Sequence, residues 1–591
     1  MADLSPEYIA EIVRTQENAA SDLRKRMEED YARYLLEWKD DRWENEPPEN
    51  HRIYISPEAR NYADRFIALL SGANLVMQVP YGNKQSAERQ FGRQKERFAR
   101  WALDEADAAL RRRMQPAVRQ QLALHTAIRG WYGGRALLYK DSDGSTKVDI
   151  TPFDPLHTFY QMGVDGLKWV CYKVLKTREE IEEEFGVALS TSKGQASGSE
   201  LGIPVLYWYD EENSAVAAEG QWVEPPKPHG AEHTPCFIGY VGPNAFIQRK
   251  DTADVKALMS KVGESIYAPL RDAYDILNKA MSDRWTYVAR SIDPGSVLKS
   301  KHGDKKLVDN PFASKSNLSL EIGESIERME LQEMTRDSDL MVAQVLGDIQ
   351  RGSFSHTTYG DTPPHQLSGI ALSILQGGQG LRVQDQVLAM QNAYRQITSL
   401  LCEQYQSGSF SRVLAKGREG RSYYSEEVDP TSVGLADDLD IRLLPRLPKD
   451  EAGAYALAQI ARGGPVPLLS DRTIRDDTLG LVDADGEDDL IKEQMAERAT
   501  PMAVLMSMFE AAVKQGRQDL LLVYGQELQK LVAGAMMPQQ ETGPVMNGAN
   551  GGSQPRQRGM PPEVLPPQMQ GFRGARPVAA GAAPIDQNGT R

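Results

Sequence analysis

Cysteine is scarce. Cys171, Cys236 and Cys402 are the only three in 591 residues. An odd number at such separations offers neither a disulfide framework nor a Cys-rich zinc site, and a reducing compartment is the expectation. Histidine is thin too, at eight. Only His229 and His233 have the i, i+4 spacing of a metal pair. They flank Gly230 in a Pro-rich stretch that reads as a loop, so no metal is expected. Long apolar runs are missing: no stretch reaches the roughly 18 residues of a membrane span. The first residues, Met1-Ala2-Asp3-Leu4-Ser5-Pro6, show no basic region followed by an apolar one. A chain made in a cytoplasm, with no membrane partner, is the expectation.

Catalytic signatures are equally sparse. There is no Gly-x-x-x-x-Gly-Lys-Ser/Thr, so no P-loop, and no His-Glu-x-x-His or Gly-x-Ser-x-Gly. Gly377-Gly378-Gln379-Gly380 has the wrong spacing for a dinucleotide loop and no strand before it. It lies between helical segments, where clustered glycines read as a helix kink at Gly377, Gly378 and Gly380. The acid-rich turn Asp483, Asp485, Glu487, Asp488 and Asp489 fails as a calcium loop. Aligning Gly486 with the loop glycine puts Leu481 first and Lys492 last. No nucleophile, base and orienter come together, which argues against an enzyme and any cofactor, although carboxylate sites leave no spacing signature. Positive charge is also in deficit: 68 basic against 83 acidic residues give a net charge of -15. Such a chain is a poor candidate for tight, sequence-independent nucleic-acid binding. Arg111-Arg112-Arg113 reads as a solvated face.

What is present is a globular composition, 40% hydrophobic, in a chain long enough for two to four domains. Ser5-Pro6-Glu7 starts a charged helix to about 38, a surface helix with the stripe Ile9, Ile12, Val13, Leu23, Met27, Tyr31 and Leu35. Residues 52–55 read as a short strand or extended segment. Ser56-Pro57-Glu58 opens a helix carrying Tyr62, Phe66, Leu69 and Leu70, followed by extended 76–80. The stretch 87–129 is helical again, with Phe98, Trp101, Leu110, Leu122 and Ile128 inward, and Pro116 dividing or kinking it. Residues 130–134 turn. Strands follow at 135–139 and around Val148 and Ile150, joined by the Asp-Gly hairpin turn 141–144. Further strands are expected at 169–175, 205–209 and 235–240, with a short acidic helix at 178–185. An antiparallel β region between helical blocks makes the fold class α+β.

The stretch 254–405 organises the rest. Ile266, Leu270, Tyr274, Leu277, Met281, Trp285 and Val288 recur at steps of three and four, predicting a helix over 262–292. A loop with Lys299, Lys301, Lys305, Lys306 and Lys315 follows. A second helix is expected over 329–350, then a polar segment over 351–365, then a long interrupted helix ending near 405. A strand at 439–444 precedes helices near 471–478, 485–498, 500–514 and 516–534. Beyond 538 the composition is Gly, Pro, Gln and Asn with few aromatics, which cannot bury enough surface to fold.

This order of parts resembles the portal proteins of tailed double-stranded DNA bacteriophages, over about residues 50–500. The resemblance rests on Asn61-Tyr62-Ala63-Asp64-Arg65-Phe66-Ile67 followed by Val79-Pro80, and on Gly134-Arg135-Ala136-Leu137-Leu138-Tyr139 with Asp154-Pro155. It rests also on the helix Tyr274-Asp275-Ile276-Leu277-Asn278-Lys279-Ala280-Met281-Ser282-Asp283-Arg284. Ser368-Gly369-Ile370-Ala371-Leu372 opening a long helix and Leu468-Leu469-Ser470-Asp471-Arg472-Thr473-Ile474 complete it. It is a likeness of arrangement rather than of one sharp motif.

The resemblance implies a portal-like fold with long stem helices, an α/β wing and a helical crown. It implies a ring, usually of twelve copies, at one capsid vertex of a virion, assembled in the host cytoplasm. DNA is driven through such a ring by a separate terminase. The implied parts are an N-terminal helical segment (1–45), wing (46–252), first stem helix (253–292) and clip (293–328). A second stem helix (329–350), tunnel loop (351–366), long kinked wing helix with its connection (367–438), crown (439–537) and disordered tail (538–591) follow. Partners implied are further copies of the chain, the terminase large subunit, a head-tail adaptor, major capsid and scaffold proteins, and double-stranded DNA in the channel. On that footing Arg351, His356 and Tyr359 are candidates for DNA contact at the constriction, or else belong to an ordinary loop contacting its neighbours. Glu330, Glu333, Asp337, Asp339 and Asp348 are candidates for a negative channel wall. The five loop lysines are candidates for clip contacts with adaptor or terminase. Alternatives are another virion structural protein, a minor head or tail component, or an enzyme with an unrecognised carboxylate site.

Overall fold

A computed structural model describes residues 4–43, 47–48, 51–79, 86–164, 166–187, 202–242, 261–292, 296–300, 319–320, 322–328, 336–354, 369–408, 410–419, 422–434, 438–445, 451–463, 468–475 and short pieces from 479 to 529. Contacts divide the chain into two units, Met1–Asp485 and Gly486–Arg591. In the second, residues 523–529 form a helical piece. Helices at 485–498, 500–514 and 516–534 are otherwise described only in fragments. The acid-rich turn is described only at Glu487, and the tail from 538 lies outside the described residues.

Helix α1 (Pro6–Ala19) begins as expected, with the Ser5 hydroxyl accepting from the Tyr8 N–H at 3.2 Å. It stops at Ala20, and α2 (Ser21–Leu35) starts at once. The single helix expected to residue 38 is therefore an elbow. Ile9 and Val13 pack with Phe159, Trp169, Cys171, Leu206, Trp208 and Ala215, whereas Leu23 and Met27 pack with Trp131, Leu156 and Val262. One apolar stripe serves two separate clusters, and the bend is what allows it.

Among the described residues, 51–56 pair with no strand; they run extended beside the helix Arg271–Ile292. Helix α3 (Glu58–Ser71) leads to β1 (Asn74–Gln78). Helix α4 (Ser86–Arg112) and α5 (Val118–Leu124) are divided around Pro116, and a π-helical turn, His125–Arg129, follows. Between them Met114 takes a left-handed φ of 56° with a fully exposed side chain.

Strand β2 (Trp131–Lys140) starts earlier than expected, taking in the residues read as a turn. Gly130 (φ 70°) and Gly263 (φ 72°) explain how. Their backbones meet where any Cβ would clash, and Trp131 Nε1 donates to Val262 O at 3.1 Å. Strand β3 (Thr146–Pro152) returns across the Asp141–Gly144 turn, and β2 also pairs with β9 (Cys236–Tyr240), in the order β3-β2-β9. A second antiparallel sheet holds β4 (Thr158–Met162), β5 (Leu167–Lys176), β6 (Ile203–Asp210), β7 (Asn213–Ala218) and β8 (Gln221–Pro228) in that order, with α6 (Arg178–Phe185) between β5 and β6.

Helix α7 (Arg271–Ile292) is followed by β10 (Ser296–Lys299), β11 (Ser325–Arg328) and α8 (Arg336–Gly352). The predicted start at 262 falls short of the helix by nine residues. Residues 262–270 are instead stapled to the π-helical turn, where Ile266 N donates to Ala127 O at 3.0 Å. Helix α9 (Gly369–Ser407) is 39 residues long and runs without interruption through Gly377, Gly378 and Gly380. Then come β12 (Val413–Glu419), β13 (Ser422–Val428), α10 (Pro430–Val433), β14 (Asp440–Leu444), α11 (Glu451–Arg462) and α12 (Asp471–Thr473). Strand β14 pairs with β1 across 362 to 370 positions of sequence, Asn74 opposite Leu444 to Gln78 opposite Asp440. The fold class is α+β.

The C-terminal half of α9 is the axis of the main core. Val383, Val387, Met390, Ala393, Tyr394, Ile397, Leu401, Cys402 and Tyr405 are buried in the main core, the helix packing against α4, α5, β2, β9 and β14. Gln404 is buried among them. Its Oε1 accepts from Leu138 N at 2.9 Å and its Nε2 donates to Ala136 O at 2.9 Å. Strand β9 pairs with β2 only as far as Arg135, so this amide stands in for the strand that has ended.

Candidate functional site

The candidate site is the unit α7, β10, β11, α8. Helix α7 has Asp272 in its first turn. Helix α8 has Asp337 and Asp339 in its first turn and Arg351 in its last, each matching the helix dipole. The two helices lie antiparallel. Gly352, at the end of α8, sits against the Leu270 side chain just before α7, and no side chain fits there. Further along, Arg284 Nη1 meets Asp339 Oδ1 at 3.0 Å. Beyond the helices, β10 and β11 pair antiparallel, Ser296 opposite Arg328 and Lys299 opposite Ser325.

The end of α8 is tied into the main core. Phe354 stacks on Phe66 with ring centroids 5.8 Å apart and meets Tyr62 edge-on at 5.5 Å. Arg382 of α9 donates to the Arg351 carbonyl, placing a cation at the helix C-terminus.

Helix α7 is also held along its length by the extended segment. Arg52 N donates to Thr286 Oγ1 at 2.9 Å, Tyr54 N to Ser282 Oγ at 2.9 Å and Ser56 N to Asn278 Oδ1 at 2.8 Å. Alternate N–H groups of the extended chain meet every fourth residue of the helix. Two extended residues span about 6.6 Å and four helical residues about 6.0 Å, so three successive rungs stay in step.

The rest of the unit is poorly covered. Ile276, Trp285 (51% exposed), Val288 and Ile292 (79%) on α7 stand in solvent, as do Leu340 (59%) and Met341 (51%) on α8. Of these, Trp285, Val288 and Ile292 share one side of α7, while Ile276 lies on the other. Periodicity placed Trp285 and Val288 on the inward stripe and so hid their exposure.

The predicted site residues fall as follows. Asp337 is exposed, with no ion-pair partner among the described residues. Asp339 is offset by Arg284, and Asp348 by Arg351, whose Nη1 is 3.1 Å from Asp348 Oδ1. Asp339 projects about 160° around the helix from Asp337, so the three acids do not form one stripe. Arg351 belongs to the last turn of α8 rather than to a loop, because that turn is completed by the Ser353 N bond to Ile349 O at 2.7 Å. Lys299 ends β10 and is 2.5 Å from Glu327 on β11. Glu330, Glu333, His356, Tyr359, Lys301, Lys305, Lys306 and Lys315 lie outside the described residues.

No family model matches this chain, and no curated protein matches it. Solved structures do. One is the neck of a native GTA particle computed with C12 symmetry, 10% identical, covering 72% of this chain and 89% of that one at a TM-score of 0.34. Another is the neck of an empty GTA particle computed with C6 symmetry, 12% identical, covering 72% and 90% at a TM-score of 0.37.

Other groups with chemical potential are in structural use. Burial pushes the Cys402 thiol up to about 12 and the Cys171 and Cys236 thiols further, which leaves them unreactive. His229 Nε2 meets Asp210 O at 2.9 Å and its Nδ1 accepts from Ala231 N at 3.1 Å, so both ring nitrogens serve the loop. His125 is half-buried. Desolvation holds it down at about 4, neutral at ordinary pH. Among the described residues no group of His, Cys, Asp and Glu is placed to hold a metal ion, and no helix is long and apolar enough to cross a membrane.

Proposed function

We propose that the chain is a portal subunit. Copies close into a ring at one capsid vertex of a virion, and double-stranded DNA enters and leaves through the hole. The observation that carries this reading is the helix, β-ribbon, helix unit α7–β10–β11–α8 with its large apolar residues uncovered. A head-to-tail contact between neighbouring copies buries Trp285, Ile292, Leu340 and Met341 in a closed rotation, which needs no second kind of partner. The charge pattern supports a sliding rather than a gripping surface. Asp337 repeated around the ring adds a weak negative field that keeps phosphates from binding tightly.

In this reading the ring is a dodecamer. Lys299, with Lys301, Lys305, Lys306 and Lys315, faces the terminase large subunit or the head-tail adaptor. Arg351, His356 and Tyr359 touch DNA in passing. The α+β wing meets the major capsid and scaffold proteins. The protein works as a channel and attachment platform and not as an enzyme; ATP hydrolysis belongs to the terminase. Negative-stain microscopy and light scattering on the purified full chain test the reading. Rings with a central hole are expected. A chain that stays monomeric at micromolar concentration and above refutes it.

A further inference from the structure

We propose that the cavity under the α1–α2 elbow binds a small apolar anion, an aliphatic or aromatic body bearing one carboxylate. The cavity measures about 380 Å³, within the range of small-molecule sites, about 300–1,000 Å³. Leu23, Met27, Trp131, Pro155, Tyr160 and Ile238 supply its apolar and aromatic walls. Arg24 is the one cationic side chain in the lining, with Thr15, Gln16 and Thr158 beside it.

Arg24 is the informative residue. Its guanidinium lies over the Phe159 ring, 4.2 Å from the centroid. Its Nη2 reaches Thr158 O only at 3.4 Å, and its Nε is buried without a partner. Among the described residues it makes no ion pair. Of the three carboxylates whose charge it feels, Glu17 is 3.2 Å from Lys173 and Asp154 is paired with Arg129 at 2.9 Å, while Glu28 is exposed to solvent. Desolvation lowers the guanidinium below its ordinary value, and those charges offset this only in part. A half-buried cation without an ion pair on the wall of an apolar cavity is stabilised by a bound anion whose remainder is apolar. An apolar guest without the acid leaves the guanidinium without a counter-charge, and a polar anion forfeits the aromatic walls.

Calorimetric titration of the full chain with octanoate and with 1-octanol tests this. Saturable octanoate binding is expected, with octanol at least tenfold weaker. Arg24→Gln should bring the acid down to the alcohol's affinity, Arg24→Lys should restore part of the preference, and Ala20→Trp, which fills the cavity, should abolish both. Absence of saturable octanoate binding overturns the proposal. So do equal affinities for acid and alcohol in the unsubstituted chain, a comparison that depends on no variant folding. Octanoate binding that survives Arg24→Gln and Ala20→Trp unchanged overturns it as well.

Discussion

Replacing Gln404 by Leu tests whether one side-chain amide completes a sheet. The substitution keeps the volume nearly constant and removes both hydrogen bonds to β2. Leu138 N–H and Ala136 C=O are then buried and unpaired, because β9 ends at Cys236, opposite Arg135. Each orphaned group costs about 1–3 kcal/mol, and the added apolar burial returns about 1 kcal/mol, leaving a loss of about 3 kcal/mol. Hydrogen exchange read by mass spectrometry on residues 136–140 is the local assay. About 3 kcal/mol corresponds to roughly hundredfold faster exchange at Leu138. Gln404→Glu adds a sign. The introduced carboxyl still accepts from Leu138 but, once ionised, faces the Ala136 carbonyl. Burial raises its value in the folded state. Stability should therefore be greatest at low pH and fall as pH rises from the unfolded carboxyl range through the folded value. Unchanged protection at Leu138 in Gln404→Leu, with a denaturation midpoint within 1 kcal/mol of the parent, refutes the reasoning.

Met114→Gly should stabilise the chain by about 1 kcal/mol, since a left-handed φ of 56° strains any residue with a Cβ; a lower denaturation midpoint contradicts this. Asp154→Asn should cost about 3 kcal/mol near neutral pH by leaving the buried Arg129 unpaired. Burial pushes the Asp154 carboxyl up, but Arg129 outweighs it and holds it below its ordinary value. The stabilisation is thus present above the unfolded carboxylate value of about 3.9 and lost as pH falls through the folded one. A deficit as large at pH 2 as at pH 7 rules this out. Gly377→Ala with Gly378→Ala stiffens α9 by about 1 kcal/mol per site. If bending there serves a portal, packaged DNA measured by nuclease protection should fall while rings still form. Unchanged packaging argues against bending.

Much of the helical frame was legible because its signals are local. Ser5 as a cap, Pro116 as a divider, and the 3–4 spacing through Tyr274, Leu277 and Met281 all act within a few residues. The Asp141–Gly144 turn and the strands at 169–175 and 205–209 were visible for the same reason. What was not legible depends on distant partners. Strand β7 is Ala-rich and β8 carries Pro225, Pro226 and Pro228, which argue against strands; β8 tolerates them because it is a sheet edge and owes no N–H on that side. Strands β12 and β13 are too polar to declare themselves. No local pattern joins β1 to β14. At the candidate site, the helices and the acid and lysine positions could be read in advance. The Arg284–Asp339 pair, the Arg382 cap and the seat of Phe354 came only with the tertiary arrangement.

The three rungs between residues 52–56 and α7 set main-chain N–H groups against short side-chain oxygens, and the Ser282 and Thr286 hydroxyls also donate back to the Tyr54 and Arg52 carbonyls at 3.3 and 3.5 Å. Tolerance to substitution should be lopsided. Position 52 can exchange for most residues but proline, while Tyr54 also packs on Trp285 and the buried Ser56 hydroxyl also accepts from Glu58 N. Positions 278, 282 and 286 are restricted to short acceptor side chains. The step mismatch of about 0.6 Å per rung also sets a limit. After about five rungs the slip approaches half the length of two extended residues, and acceptor no longer faces donor. An extended segment bound this way behaves like a vernier scale, matching over a short span only. Lengthening it would add chain without adding attachment.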